Sequence, residues 1–191
     1  MYTSYSIFTI AMLVTTVLSH GRITKPAARE PGTGMEAVCG KNATAIAKAD
    51  NTTHIEGLPE AAAKDSKYDP KKCNFYFCKG YQFDDNKDHV QKYTAGQVVN
   101  MRAQLRILHE GKMNVSVINT ATNKAIGSPL ISFAQYGEKK LPKVPANNTN
   151  FDVKIPGDLK GACSKAGACV LQWYWKTDDD SYESCVDFTV S

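Results

Sequence analysis

The sequence predicts an all-β protein built as an antiparallel β-sandwich, and three observations support that expectation. Apolar side chains alternate along residues 97–107, where every second residue from Val99 to Ile107 is apolar. Strand-like patterns recur in four shorter segments, at residues 113–118, 151–155, 169–175 and 185–190. Glycine, asparagine and proline separate these segments, as expected for short strands joined by turns.

Length and composition indicate one globular domain. The chain has 191 residues, of which 42% are hydrophobic and 22% are charged, and these proportions argue against a disordered or fibrous chain. The net charge of +4 is too small and too scattered to predict a nucleic-acid partner. No apolar run reaches 18 residues, so we expect no membrane-spanning segment. We also expect a monomer.

The first 19 residues have the features of a signal peptide. They carry no charged side chain, and residues 7–18 form a 12-residue run dominated by apolar side chains, which is too short to span a bilayer but suits the core of an export signal. Val17 and Ser19 stand at the −3 and −1 positions of a cut before His20. We therefore predict a signal peptide at 1–19 and one mature, secreted domain at 20–191. A buried N-terminal helix is the alternative.

Residues 36–90 differ from the β-rich remainder. Two alanine-rich pieces, at 43–49 and 60–64, favour short helices, and the rest is polar and rich in turn-forming residues. Five aromatic residues in this part, Tyr68, Phe75, Tyr76, Phe77 and Tyr81, are candidate contacts for a flat substrate, although we expect at least half of them to be buried. Trp173 and Trp175 alternate within a strand and are expected in the core.

All six cysteines lie in the predicted mature domain, and an even number in an exported chain predicts three disulfides, with 15 possible pairings. Local spacing favours Cys73–Cys78 and Cys163–Cys169, which leaves Cys39–Cys185. A zinc site is a weaker alternative because the spacings do not form CxxC pairs.

Four glycosylation sequons support export; they begin at Asn42, Asn51, Asn114 and Asn147.

The predicted cleavage gives His20 a special chemistry. An N-terminal histidine offers its α-amine and its ring Nδ1 to one metal ion, and a second histidine would complete a planar set of three nitrogens that favours copper(II). His54, His89 and His109 are the candidates for that second ligand, and the sequence HEG at 109–111 predicts that His109 lies in a turn at one end of the sandwich, where functional loops collect. His54 and His89 lie in polar segments and are expected to be ordinary surface histidines.

Several stretches of the chain resemble one known family. HGRITKP at 20–26 and HEGKMNVS at 109–116 look like the histidine brace of lytic polysaccharide monooxygenases. More specifically, the chain resembles the sixteenth auxiliary-activity family, fungal copper enzymes that act on cellulose. Further matching stretches keep their order along the chain, at 35–41, 54–65, 145–151, 168–173 and 182–190.

The resemblance implies an immunoglobulin-like β-sandwich whose cysteine-stapled loop and short-helix region lies near a single copper ion. His20 and His109 match the copper ligands, and Tyr182 matches the axial group near the metal, although a core aromatic beside a disulfide is the alternative for this tyrosine. Related enzymes often carry glutamine or glutamate two residues before the tyrosine. This chain has Asp180 there, a shorter carboxylate that we expect close to the metal ligands.

The implied function is oxidative cleavage of insoluble polysaccharide, cellulose in particular, by hydroxylation next to the glycosidic bond, with C1 as the expected position. Oxygen or hydrogen peroxide and an external electron donor are the implied co-reactants. Two alternatives stay open: a non-catalytic copper-binding protein with the same brace, and a carbohydrate-binding module for chitin or cellulose. A hydrolase with two catalytic carboxylates is less favoured, because solvated loops account better for the acidic clusters at 84–85 and 178–180.

Overall fold

A computed structural model describes residues 20–159 and 161–191, so the predicted signal peptide at 1–19 lies outside the described residues. Within those residues the strands are β1 His20–Lys25, β2 Gln91–Tyr93, β3 Val98–Ile107, β4 Gly111–Asn119, β5 Lys124–Ala125, β6 Ile131–Tyr136, β7 Asn150–Lys154, β8 Cys169–Thr177 and β9 Ser181–Val190. The helices are α1 Thr33–Cys39, α2 Lys41–Ala49, α3 Gly57–Ala62 and α4 Ala146–Thr149, and single 3₁₀ turns form at Cys78–Gly80, Phe83–Asp85 and Lys87–His89.

The strands form two sheets that pack face to face, which confirms the predicted β-sandwich. One sheet has the order β1-β3-β7, and the other has the order β2-β9-β8-β4, with β5 and β6 pairing with opposite ends of β4. All of these pairs are antiparallel except the short parallel pair of β2 and β9. The five strand-like segments of the sequence correspond to β3, β4, β7, β8 and β9.

Alternation along the strands builds the core between the sheets. In β3 the side chains of Val99, Met101 and Ala103 are buried while their neighbours are exposed, because successive side chains point to opposite faces of a strand. The facing sheet contributes Trp173 and Trp175 of β8, which are fully buried as the sequence predicted. Among the described residues, no helix is long and apolar enough to cross a membrane.

The loop and short-helix region has a small core of its own. The alanine-rich pieces form α2 and α3 as predicted, and their buried faces meet α1. Phe75 and Tyr81 are buried, Tyr68 and Phe77 are half-buried, and Tyr76 is exposed. Two of the five are therefore fully buried, fewer than the expected half, because Tyr68 and Phe77 pack at the margins of the buried clusters. This second core makes the region a packed elaboration of the sandwich rather than a flexible loop.

Two of the three predicted disulfides are wrong. The structure pairs Cys39 with Cys73 and Cys78 with Cys185, and only Cys163–Cys169 forms as expected. Short spacing made Cys73–Cys78 look favourable, but the chain turns between these residues and sends their side chains apart. Cys73 enters the small core with Cys39, whereas the backbone N–H of Cys78 donates to Glu183 on β9, beside Cys185. Proximity in sequence does not set the direction of the Cβ vectors that a disulfide requires.

Candidate metal centre

Strand register brings the two predicted histidine ligands to one end of the sandwich. His20 is the first residue of β1 and pairs with Ile107 at the end of antiparallel β3. His109 follows two residues later, in the turn between β3 and β4, as the sequence predicted. The end of β1 that carries His20 therefore lies beside the turn that carries His109.

A carboxylate orients the ring of His20. Oδ2 of Asp50, the residue that ends α2, lies 3.2 Å from Nε2 of His20 and 3.5 Å from the guanidinium of Arg106. Burial by itself would raise the pKa of Asp50, but hydrogen bonds from Thr52 and the charges of His20 and Arg106 outweigh it, and the net shift of the pKa is downward. The ionised carboxylate favours the tautomer of His20 with its proton on Nε2, and in that tautomer Nδ1 carries the lone pair.

One buried indole, that of Trp175, packs near the backbone beside both histidines. A Cβ placed on Gly21 would lie 3.0 Å from Cζ3 of Trp175. One placed on Gly137, which has a φ of 71°, would lie 2.6 Å from Cζ2 of Trp175 and 2.6 Å from the carbonyl oxygen of His109. Glycine is needed at Gly137 for both the left-handed backbone and this close approach. Trp175 thus packs against the start of β1, and Gly137 packs closely against both Trp175 and the carbonyl of His109 in the β3–β4 turn.

Tyr182 and Asp180 lie together beside Trp175. The ring centroid of Tyr182 is 4.7 Å from that of Trp175, its cross-strand partner, and the side chain is fully buried. The Tyr182 hydroxyl donates to Oδ2 of Asp180 at 3.1 Å. Asp180 is fixed by the β8–β9 turn, where its backbone N–H donates to the hydroxyl of Thr177. The two positions singled out in the sequence are therefore joined by a hydrogen bond.

His54 is the site residue that sequence reasoning missed. It was expected to be an ordinary surface histidine, but the structure places its half-buried ring with Nδ1 3.1 Å from Oδ1 of Asp180 and 3.5 Å from Oε2 of Glu56. Asp180 thus joins His54 to Tyr182. A signal was present in the sequence, since His54 begins one of the stretches that carry the family resemblance. It was overlooked because contact between residues 54 and 180 depends on tertiary structure.

Burial and the neighbouring Lys139 favour the neutral imidazole of His109. Burial and the positive charge of Lys139 lower the pKa of His109, and Asp180 and Asp179 oppose that shift without cancelling it. His109 lines a shallow cavity of about 210 Å³ with Glu110, Lys139, Thr177, Asp178 and Asp179. A neutral imidazole keeps the lone pair that a metal requires.

The residues present fit a copper ion. Two imidazoles at one end of the sandwich are the ligand type that copper accepts, and the carboxylate on Nε2 of His20 is the outer partner that metal-bound histidines usually have. Cleavage before His20 would add an amine nitrogen to the same residue. Lys79, Glu183 and the cysteines of the three disulfides are buried side chains, and none of them is among these candidate ligands.

The aromatic residues of the loop region lie elsewhere. Tyr68, Phe75 and Tyr76 line a cavity of about 370 Å³ together with Asn123. Asn123 follows the end of β4 that is distant from Gly111, so this cavity lies at the opposite end of the sandwich from His109. Within the loop and short-helix region, residues 50–56 lie beside the candidate metal centre, whereas these aromatics do not.

An antiparallel β-sandwich with two histidines at one end, one of them oriented by a carboxylate, defines a candidate mononuclear metal protein. Residues 20–188 match the family described as "Lytic polysaccharide mono-oxygenase, cellulose-degrading". The chain belongs to this lytic polysaccharide monooxygenase family. The match gives no support to the sixteenth auxiliary-activity family or to a fungal source, and no curated protein matches the chain.

The solved structures that match this chain include three with low sequence identity to it. A chitin-binding domain from Burkholderia pseudomallei has 10% identity and a TM-score of 0.45, covering 91% of this chain and 100% of its own. The cellulose-active monooxygenase CelS2 in complex with copper has 15% identity and a TM-score of 0.44, with coverages of 89% and 98%. A monooxygenase from Thermobia domestica in the Cu(I) state has 14% identity and a TM-score of 0.42, with coverages of 90% and 98%.

Proposed function

We propose that the mature chain is a secreted, copper-dependent monooxygenase that cleaves an insoluble polysaccharide oxidatively, with His20 and His109 as the copper ligands. The observation that carries this proposal is the carboxylate of Asp50 at Nε2 of His20. It sets the tautomer in which Nδ1, the ring nitrogen nearer the backbone, is available to chelate a metal together with the α-amine. The family match begins at His20, which supports cleavage at that residue.

Each residue of the site has a part in this proposal. His20 and His109 hold the metal at the end of the sandwich, and Trp175 keeps their backbones in place. Bound copper would supply the one-electron chemistry that activates oxygen or hydrogen peroxide, with electrons from an external donor. Tyr182 closes the buried side of the site, and its hydrogen bond keeps Asp180 in a fixed orientation beside it. The open cavity at His109 leaves the other side accessible to a polymer.

The specific form of the proposal is cleavage of cellulose by a monomeric enzyme with oxidation at C1. The description of the matching family as cellulose-degrading supports the substrate. Oxidation at C1 would give a lactone that hydrates to an aldonic acid, and this product distinguishes C1 from C4 oxidation by mass spectrometry. Membership of the sixteenth auxiliary-activity family is a further proposal, and it rests on the resemblance at residues 20–26 and 109–116.

Export and glycosylation belong to the same proposal. Asn42 and Asn147 are exposed and available for glycans. Asn51 is half-buried, and its Nδ2, the atom to which a glycan attaches, donates to Glu30 at 2.8 Å. Asn114 is half-buried within β4, which is paired on both sides. We therefore expect peptide mapping of the secreted protein to find glycans on Asn42 and Asn147 and not on Asn51 or Asn114.

The proposal is tested with protein whose first residue is His20. The copper-loaded protein is incubated with cellulose and ascorbate, and oxidised oligosaccharides are expected by mass spectrometry. His109→Ala and a version with one extra residue before His20 should form no oxidised product. His89→Ala is the matched control, because His89 precedes β2, which pairs with β9 at the end distant from Tyr182. This variant should keep full activity.

Each alternative function predicts a different result. Tight copper binding without oxidised products would contradict the enzyme and favour a non-catalytic copper-binding protein. Binding to cellulose or chitin that does not depend on copper would favour a carbohydrate-binding module. Oxidised products that persist in His109→Ala would overturn the assignment of the copper ligands.

A further inference from the structure

Residues 50–56, which we call the site loop, join the two halves of the candidate metal centre. On one side the carbonyl of Thr52 accepts the backbone N–H of Gly21 at 3.1 Å, next to the contact between Asp50 and His20. On the other side the N–H of Ile55 donates to the carbonyl of Ser181 at 2.9 Å. The position of this loop therefore affects His20 and the β8–β9 turn at the same time.

One buried cation holds the middle of this loop. The ammonium of Lys79 donates to the carbonyl of Asn51 at 2.8 Å and to the carbonyl of Thr53 at 2.9 Å. Lys79 is only 1% exposed. Its two acceptors flank Thr52, whose carbonyl binds Gly21, so the ammonium fixes both peptide groups around that contact.

Lys79 is in turn fixed to strand β9. The residue before it, Cys78, forms a disulfide with Cys185 and donates its backbone N–H to Glu183 at 2.8 Å. Cys78 and Lys79 both have positive φ values, 51° and 54°, a conformation that costs free energy in residues other than glycine. The chain is thus held in an unfavourable conformation that directs the Lys79 side chain toward the site loop.

Burying the ammonium of Lys79 costs free energy, and this cost calls for a structural or functional explanation. Burial lowers the pKa of Lys79 to about 8, although the charge of Glu183 acts in the opposite direction. An apolar side chain of similar volume often gives equal or greater stability than a buried charge. A methionine would fill the same space, but it could not bind the two carbonyls.

We propose that Lys79 is a positioning residue of the metal site, which acts by holding the site loop against His20 and the β8–β9 turn. The proposal rests on the proposed function, because it concerns the same copper site. It assigns to Lys79 no contact with metal or substrate. Its effect passes through the carbonyls of Asn51 and Thr53 to the loop and then to Asp50 and His20.

The test compares Lys79→Met with Lys64→Met, each in protein that begins at His20. Lys64 is exposed and pairs with Glu60, so its variant controls for loss of a surface lysine. We expect Lys79→Met to weaken copper binding about 10-fold, the lower end of the range for outer-shell residues, and to shift the copper(II) electron paramagnetic resonance spectrum. In the metal-free protein, the amides of Gly21 and Ile55 should exchange faster with deuterium. Lys64→Met should match the wild type in all three measurements.

The outcomes separate this proposal from the proposed function. A folded Lys79→Met protein with unchanged amide exchange, copper affinity and spectrum would overturn the role of Lys79, whereas a wild-type protein that binds no copper would overturn the function. In the latter case the amide exchange still decides whether Lys79 holds the loop. If Lys79→Met does not fold, Lys79→Gln removes the charge and shortens the side chain, so that one amide group cannot replace the ammonium at both carbonyls. Unchanged amide exchange and an unchanged spectrum in that variant would overturn the proposal.

Discussion

Asp50 and His20 form a contact of 3.2 Å between a carboxylate oxygen and Nε2 of the ring. The two residues are 30 positions apart in sequence, and the contact is made where α2 ends against the start of β1. It leaves the ring nitrogen nearer the backbone with the lone pair that a metal requires.

Replacing Asp50 by alanine should weaken copper binding without unfolding the protein. Loss of the carboxylate frees the ring of His20 to rotate and lowers its basicity, and changes of this kind cost about 10- to 100-fold in metal affinity. Titration calorimetry against a competing chelator measures the change. Asp158→Ala, an exposed aspartate after β7, is the control and should bind copper as the wild type does. Equal affinities in the two variants would contradict the role of Asp50.

Replacing His54 by alanine should lower oxidative turnover and leave copper affinity unchanged. Nδ1 of His54 lies 3.1 Å from Oδ1 of Asp180, which in turn accepts the hydrogen bond from Tyr182, so the loss of His54 disturbs the surroundings of the metal rather than its ligands. We expect a decrease of about 10-fold in the initial rate of product formation, in the range for outer-shell residues, with the same copper dissociation constant.

The same experiment distinguishes His54 from a ligand. If copper affinity falls in His54→Ala as far as it does in His109→Ala, then His54 is itself a ligand and the assignment of His109 must be revised. His89→Ala serves again as the control, because the Nδ1 atom of His89 binds the carbonyl of Ala28 outside the site.

The disulfides should differ in their contribution to stability. Cys78–Cys185 closes a separation of 107 residues, and Cys163–Cys169 closes one of 6. From loop entropy, the long bridge contributes about 4.7 kcal/mol and the short one about 2 kcal/mol to the free energy of unfolding. Paired cysteine-to-alanine variants, compared by denaturant unfolding, should show the larger loss for Cys78 and Cys185. A larger loss for the short bridge would contradict this order.

The sequence predicted the strands well because their signal is local. The alternation in residues 97–107 reports directly which side chains face the core, and β3 follows it almost to the residue. The position of His109 was predictable for the same reason, since a turn must follow the end of that strand. The alanine-rich pieces likewise form α2 and α3 where helix propensity places them.

The disulfides and His54 were not predictable from local signals. Cys73 and Cys78 are close in sequence, but the turn between them directs one side chain to the small core and the other to β9. His54 lies in a polar segment without periodic pattern, and only the packing of the site loop against the β8–β9 turn brings it to Asp180. Neither outcome depends on the residues next in sequence.

The sequence by itself determined most of the strands and the turn that carries His109, because periodicity acts over a few residues, and the family resemblance singled out the two candidate ligands. Tertiary structure alone decided what surrounds those ligands. Asp50, His54 and Lys79 reach the site through contacts between residues that are 26 to 126 positions apart. Such contacts depend on how the loop region packs against the sandwich, and no local pattern records that packing.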